Sequence, residues 1–239
     1  MAAAVLGAFG FLTILPTGGV FPPQPGRVFA WFPLVGAVIG GAVYAAARLP
    51  TPLAPFLALT VWVVLTGGLH LDGFADACDG LLAVTTPERR LTIMRDPQAG
   101  SWAVVGLVLL LLGNYAALAA LPDPRPLLLI PVLGRWVMVI AVAVFPYARS
   151  DGLGGAYREG LGPPQVTVAT LLTLAAVGGM ALWVGWSVGV LLLPALLTLA
   201  IGGGWAARQL GGGLTGDVYG GLCEVMQLAA LITASILYA

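Results

Sequence analysis

The chain has 239 residues, 59% hydrophobic and only 8% charged, with a mean hydropathy of +1.00. Soluble domains carry about 25% charged residues, so this chain lacks the polar surface to enclose a water-soluble core and must meet lipid instead. Its 10 basic residues, all arginine, balance 10 acids. That balance excludes a nucleic-acid binder acting through bulk positive charge, and the absence of lysine excludes Schiff-base and P-loop lysine chemistry.

In chain order, the apolar opening from Ala2 to Pro16 has no basic lead, so it reads as mature sequence rather than a secretory peptide. At roughly 2–16 it is too short for a span and is expected to re-enter the bilayer or lie in the interface. Apolar runs at 28–48, 52–70, 101–121, 126–146, 165–185, 188–207 and 220–238 predict an all-α fold. The architecture expected is a polytopic integral membrane helix bundle of about seven transmembrane helices. Proline-rich turns at Arg48–Pro52 and Leu121–Pro126 join neighbouring spans and fall on one face.

Arg27, Arg89, Arg90, Arg95, Arg149, Arg158 and Arg208 fall on the other face, which the positive-inside rule makes cytoplasmic in a bacterial inner membrane. Every acid except Asp123 shares that side. Acids carry little topological information, so their bias points to a polar, two-signed cavity there. No linker, charge block or repeat divides residues 1–239, and a single membrane-embedded catalytic domain with a cytoplasmic-facing site is expected. Cys78 and Cys223 offer neither a disulfide framework nor zinc spacing and read as packing residues.

The informative segment is Gly67-Gly-Leu-His-Leu-Asp-Gly-Phe-Ala-Asp-Ala-Cys-Asp-Gly80, directly after an apolar span. On a helix, Asp72, Asp76 and Asp79 stand at i, i+4 and i+7 along one face. Three like charges so stacked repel unless a cation lies between them, and an all-oxygen set selects Mg²⁺, or Mn²⁺, over zinc. A solvated helix end is the plain alternative. Asp217 and Glu224, seven residues apart, repeat the pattern at the mouth of the last span, where an N-cap would account for Asp217 but not for an acid inside an apolar helix.

Cationic donors for phosphate stand at Arg95, beside Asp96, and at Arg149, whereas Arg89 and Arg90 read first as topology signals. Arg135, near the middle of the 126–146 span, is expected to face the site or an acid partner. His70, the sole histidine, either assists proton transfer, orients a carboxylate, or is a hydrogen-bonded structural residue.

Thr66–Gly80, Ile93–Gly100, Tyr147–Gly154 and Gly212–Glu224, in this order and spacing, resemble the cobalamin synthase (adenosylcobinamide-GDP ribazoletransferase) family, as do Phe11–Pro16 and Phe32–Gly36. The chain departs from the family pattern at Ile14, Pro97 and Asn114. The resemblance implies a membrane enzyme joining adenosylcobinamide-GDP to α-ribazole or α-ribazole 5′-phosphate, releasing GMP with Mg²⁺. By position its acidic motifs fall on Asp72, Asp76 and Asp79 and on Asp217 and Glu224, which gives all five the metal role. Together with the reading of the residues themselves, the expected catalytic set is Asp72, Asp76, Asp79, Asp217 and His70, and the expected phosphate-binding set is Arg95, Asp96, Arg135, Arg149, Thr215 and Gly216. Its partners would be these substrates and the lipid bilayer, with no nucleic acid and a homo-oligomer allowed. A CDP-alcohol phosphotransferase is disfavoured because its aspartate spacing is missing. An ion-coupled transporter is disfavoured because the acids gather at one face and no inverted repeat is visible.

Overall fold

A computed structural model describes residues 1–20, 22–149 and 157–238. Ser150–Gly154, part of one quoted motif, falls outside them. With no water in the hydrocarbon, every backbone N–H and C=O must be satisfied within its own segment, so an apolar chain of this kind folds as helices. Among the described residues no β-strand forms, and one isolated parallel bridge pairs Tyr147 with Leu214.

Helix α1 covers Ala2–Leu12 and is too short to span. A 3₁₀ turn, Pro25–Trp31, runs into α2 (Phe32–Ala47), and together they make the first span. Next come α3 (Ala54–Leu65), α4 (Leu69–Leu82), the short α5 (Pro87–Ile93), α6 (Ser101–Ala119) and α7 (Ile130–Val144). Helix α8 is Pro163–Val184. The span Trp186–Gln209 joins a 3₁₀ turn, α9 (Leu192–Leu197), a π-helical stretch and α10 (Gly204–Gln209). Helix α11, Gly216–Leu237, closes the bundle.

Among the described residues six helices are long and apolar enough to cross a membrane, and the seventh predicted span is a bent pair: α3 and α4 meet at 87°. The expectation of a continuous helix over 52–70 followed by the acidic segment is therefore corrected. Gly67 and Gly68 take left-handed φ values of 61° and 68°, which side chains resist, and they end α3 after 12 residues. That length reaches about 18 Å, short of a bilayer about 30 Å thick. The acids thus ride on the second arm of a broken span.

Helix α7 is the centre of the bundle, with 72% of its span window buried against 22% for α8, which presents most of its surface outward. It packs between α2 and α11, and α11 in turn packs on α4 and α6. At one end the two proline-rich turns meet as expected, with Arg48, Pro55, Pro122 and Pro124 around one shallow cavity. There Arg125 donates from Nε to both Asp123 oxygens, at 3.0 and 2.8 Å, and that hydrogen bonding holds the Asp123 carboxyl below the usual carboxylate range. The opposite end carries the polar cavity.

Candidate active site

Helices α4 and α11 meet almost backbone to backbone. A Cβ on Gly73 would lie 2.9 Å from the carbonyl oxygen of Asp217 and 3.0 Å from its Cα. Only glycine permits this approach, and it sets the α4 acids beside the first turn of α11. Thr215 caps α11 through its hydroxyl, which accepts from Val218 N at 3.4 Å and donates to Asp217 Oδ2 at 3.2 Å.

Arg149 reaches the same carboxylate from elsewhere in the chain. The segment Pro146–Ala148 lies alongside Leu214, with Leu214 N donating to Pro146 O and Ala148 N to Leu214 O, both at 2.9 Å. That pairing delivers the guanidinium, which donates to Asp217 Oδ2 at 2.9 Å. The charged residues open on a cavity of about 410 Å³, bordered by Asp72, Asp217, Arg95, Arg149, His70 and Gly216. Asp76 lies within electrostatic reach of Asp72, Asp217 and Arg149.

The far wall is aromatic, a feature the sequence reading missed. Phe11 from α1, Phe29 from the 3₁₀ turn, Tyr147, Tyr157 and Tyr219 border the same cavity, and the Phe11 and Tyr157 ring centroids are 4.7 Å apart. Burial raises the Tyr157 phenol above its ordinary pKa, which keeps it a neutral hydrogen-bonding group. Phe11, Tyr147 and Tyr219 lie inside the quoted motifs, but scattered aromatics in an apolar chain carry no spacing signal that would join them into a wall.

The carboxylates expected to act as one metal set are divided. Asp79 accepts from Gly100 N at 2.6 Å and Ala103 N at 2.9 Å, so it satisfies orphan N–H groups at the start of α6. Glu224 lies two turns into α11, buried, and borders a separate small cavity with Asn114 and Gln227. Among the described residues, no three carboxylate, imidazole or thiol groups gather where they could hold a metal on their own. Asp96 also departs from its expected phosphate role, as its Oδ1 accepts from Gln98 N at 3.0 Å in an exposed turn away from the cavity.

Thr215 acts as the α11 cap rather than bordering the cavity. Arg135 is fully buried and turns to Gln227 and His70 instead of the cavity, with Glu224 within electrostatic reach. Arg90, read as a topology signal, is buried and donates to the Gly80 carbonyl at 3.0 Å and to that of Leu81, closing the end of α4.

A test separates these roles for Asp79. Asp79→Ala removes the acceptor for two helix-start N–H groups and is expected to cost about 1–2 kcal/mol, read as a lower thermal midpoint in detergent. Turnover of the folded fraction should stay within a few-fold of the parent. A loss of about 100-fold with unchanged stability would instead make Asp79 a metal ligand.

A membrane helix bundle whose carboxylates and arginines share one cavity with an aromatic wall defines a polytopic enzyme site for a phosphorylated substrate. The chain matches the cobalamin-5-phosphate synthase family over residues 4–235 and belongs to that family. It is 42% identical over 243 residues to the adenosylcobinamide-GDP ribazoletransferase of Pseudomonas syringae pv. syringae, covering 95% of this chain and 96% of that one. To the protein of that name from Roseiflexus sp. it is 39% identical over 241 residues, covering 96% and 88%. The Synechococcus elongatus protein of that name is 35% identical over 224 residues, covering 90% and 88%. No solved structure matches the chain.

Proposed function

We propose that this chain is an adenosylcobinamide-GDP ribazoletransferase, working on the cytoplasmic side of a bacterial inner membrane. A ribose hydroxyl of α-ribazole, or of its 5′-phosphate, forms a bond to the phosphorus carried by cobinamide. The bridging P–O bond to GMP breaks, the hydroxyl proton passes to a carboxylate, and the product is a phosphodiester with GMP released. The observation that carries this reading is the convergence of Asp72, Asp217, Arg149 and Arg95 on one cavity in a chain of this family.

The cavity's acidic donors are hard oxygens, and Asp217 already shares one of them with Arg149. Such a set fits Mg²⁺, which keeps open positions for phosphate oxygens and water rather than needing an all-protein cage. Asp72 and Asp217 would hold it together with phosphate oxygens and water, with the negative charge of Asp76 nearby, and when bound it would supply charge neutralisation to the diphosphate. Arg149 and Arg95 grip phosphate oxygens. The aromatic wall at Phe11 and Tyr157 offers flat, apolar surface to a heteroaromatic base. Sidedness follows from the arginines of the longer loops, which lie at the cavity end.

Protein reconstituted in lipid nanodiscs with adenosylcobinamide-GDP, α-ribazole and Mg²⁺ is expected to release GMP in step with ribazole consumed. Chelation with EDTA should stop the reaction and added Mg²⁺ restore it. GMP release that ignores ribazole would make the enzyme a hydrolase and overturn the transfer reading.

A further inference from the structure

His70 is the chain's sole histidine, 2% exposed, at the start of α4. Its ring has two distinct edges. On the Nδ1 edge stands Arg135 of α7, with Nη2 at 3.4 Å, and Glu224 of α11, with Oε1 at 3.9 Å. Arg135 is itself held, since its Nη1 donates to Gln227 Oε1 at 2.6 Å. The Cδ2 edge faces Gly220, where a Cβ would come 3.6 Å from the ring carbon. Nε2 adjoins that carbon, is buried, and has no hydrogen-bond partner among the described residues. His70 and Gly220 both border the large cavity.

A guanidinium only donates hydrogen bonds. The contact from Arg135 therefore requires a lone pair on Nδ1, and the ring proton must sit on Nε2. Glu224 does not compete for it, because 3.9 Å lies beyond hydrogen-bond reach. Its carboxyl group lies within electrostatic reach of Arg135. What remains is a donor N–H, unused by the described residues, on the ring edge beside the cavity.

We propose that Arg135 is a positioning residue that fixes His70 in the Nε2-protonated tautomer, so that His70 donates a hydrogen bond to an anionic phosphate oxygen in the cavity instead of accepting the substrate's proton. The role toward phosphate rests on the transferase reading; the tautomer does not. With His70 a donor, it does not take the proton from the attacking hydroxyl, and that proton passes to a cavity carboxylate. Glu224, expected as a metal ligand, lies here within electrostatic reach of the residue that sets the histidine.

The tautomer is directly observable because one histidine gives one set of ring signals. Protein labelled with ¹⁵N-histidine, in nanodiscs at neutral pH and without substrate, is expected to show a protonated Nε2 and a bare Nδ1 in long-range ¹H–¹⁵N spectra. A proton on Nδ1, or on both nitrogens, overturns the proposal. The charge-neutral double variant Arg135→Met, Glu224→Gln removes the buried pair together and is expected to lose the tautomer preference. A spectrum unchanged from the parent would overturn the role of Arg135.

For the donor role, His70→Gln retains an amide N–H and should keep kcat within about tenfold, whereas His70→Ala should lose about 100-fold, as deletion of a single transition-state donor does. Equal losses in both overturn it. Since the spectrum needs no substrate, failure of the tautomer assignment and failure of the transferase reading are told apart.

Discussion

Asp217→Asn is expected to lower turnover by about 100- to 1000-fold, the range for removing a group that holds a catalytic metal or its charge. The substitution keeps the shape of the side chain and the hydrogen bond from Thr215, but it removes the charge that Arg149 pairs with at 2.9 Å. Two effects then act together. The cavity loses an anionic oxygen for Mg²⁺, and Arg149 loses the partner that holds its guanidinium in place. Steady-state kinetics across Mg²⁺ concentrations separate them: a lost metal ligand shifts the midpoint to higher Mg²⁺, whereas a misplaced arginine raises KM for the nucleotide substrate. Asp72→Asn, at a side chain bordering the same cavity but without an arginine partner among the hydrogen bonds described, should shift the metal midpoint alone. Parent-like turnover in Asp217→Asn would remove that side chain from the chemistry.

Gly73→Val should be nearly as damaging, by another route. A Cβ at this position already meets the Asp217 backbone at 2.9 Å, and the contact is main chain, which cannot swing aside. A branched side chain therefore has to push α4 away from α11. Overpacking of this kind costs about 1–3 kcal/mol, and it moves the Asp72 and Asp76 arm relative to Asp217. A displacement of about 1 Å at a catalytic constellation is enough to cost about 100-fold in rate. The expected result is protein that still inserts and purifies, melts several degrees lower and makes little GMP. Full activity would mean that α4 and α11 do not need their close contact.

The legible part of the fold was the part governed by composition. Runs such as 101–121 and 126–146 found their helices because lipid leaves an apolar chain no other way to satisfy its backbone. The run at 52–70 misled for a local reason: Gly67 and Gly68 were read as part of a motif, not as a left-handed break that turns the chain through 87°. In the site, the i, i+4, i+7 spacing placed Asp72, Asp76 and Asp79 on one helix, but spacing says nothing about what waits opposite each carboxylate. Gln227 left a signal that went unread, an amide one turn beyond Glu224 in an apolar helix.

By itself the sequence determined that this chain lives in a bilayer, where its acids concentrate, and which family it resembles, because hydropathy, charge placement and motif spacing are properties of the linear chain. The tertiary structure decided which acids border the cavity. Asp79 is taken up by the N–H groups of Gly100 and Ala103, and Glu224 is buried 3.9 Å from His70, whereas Asp72 and Asp217 remain on the cavity. A carboxylate's availability depends on donors contributed by distant segments, and those donors meet it only when the helices pack.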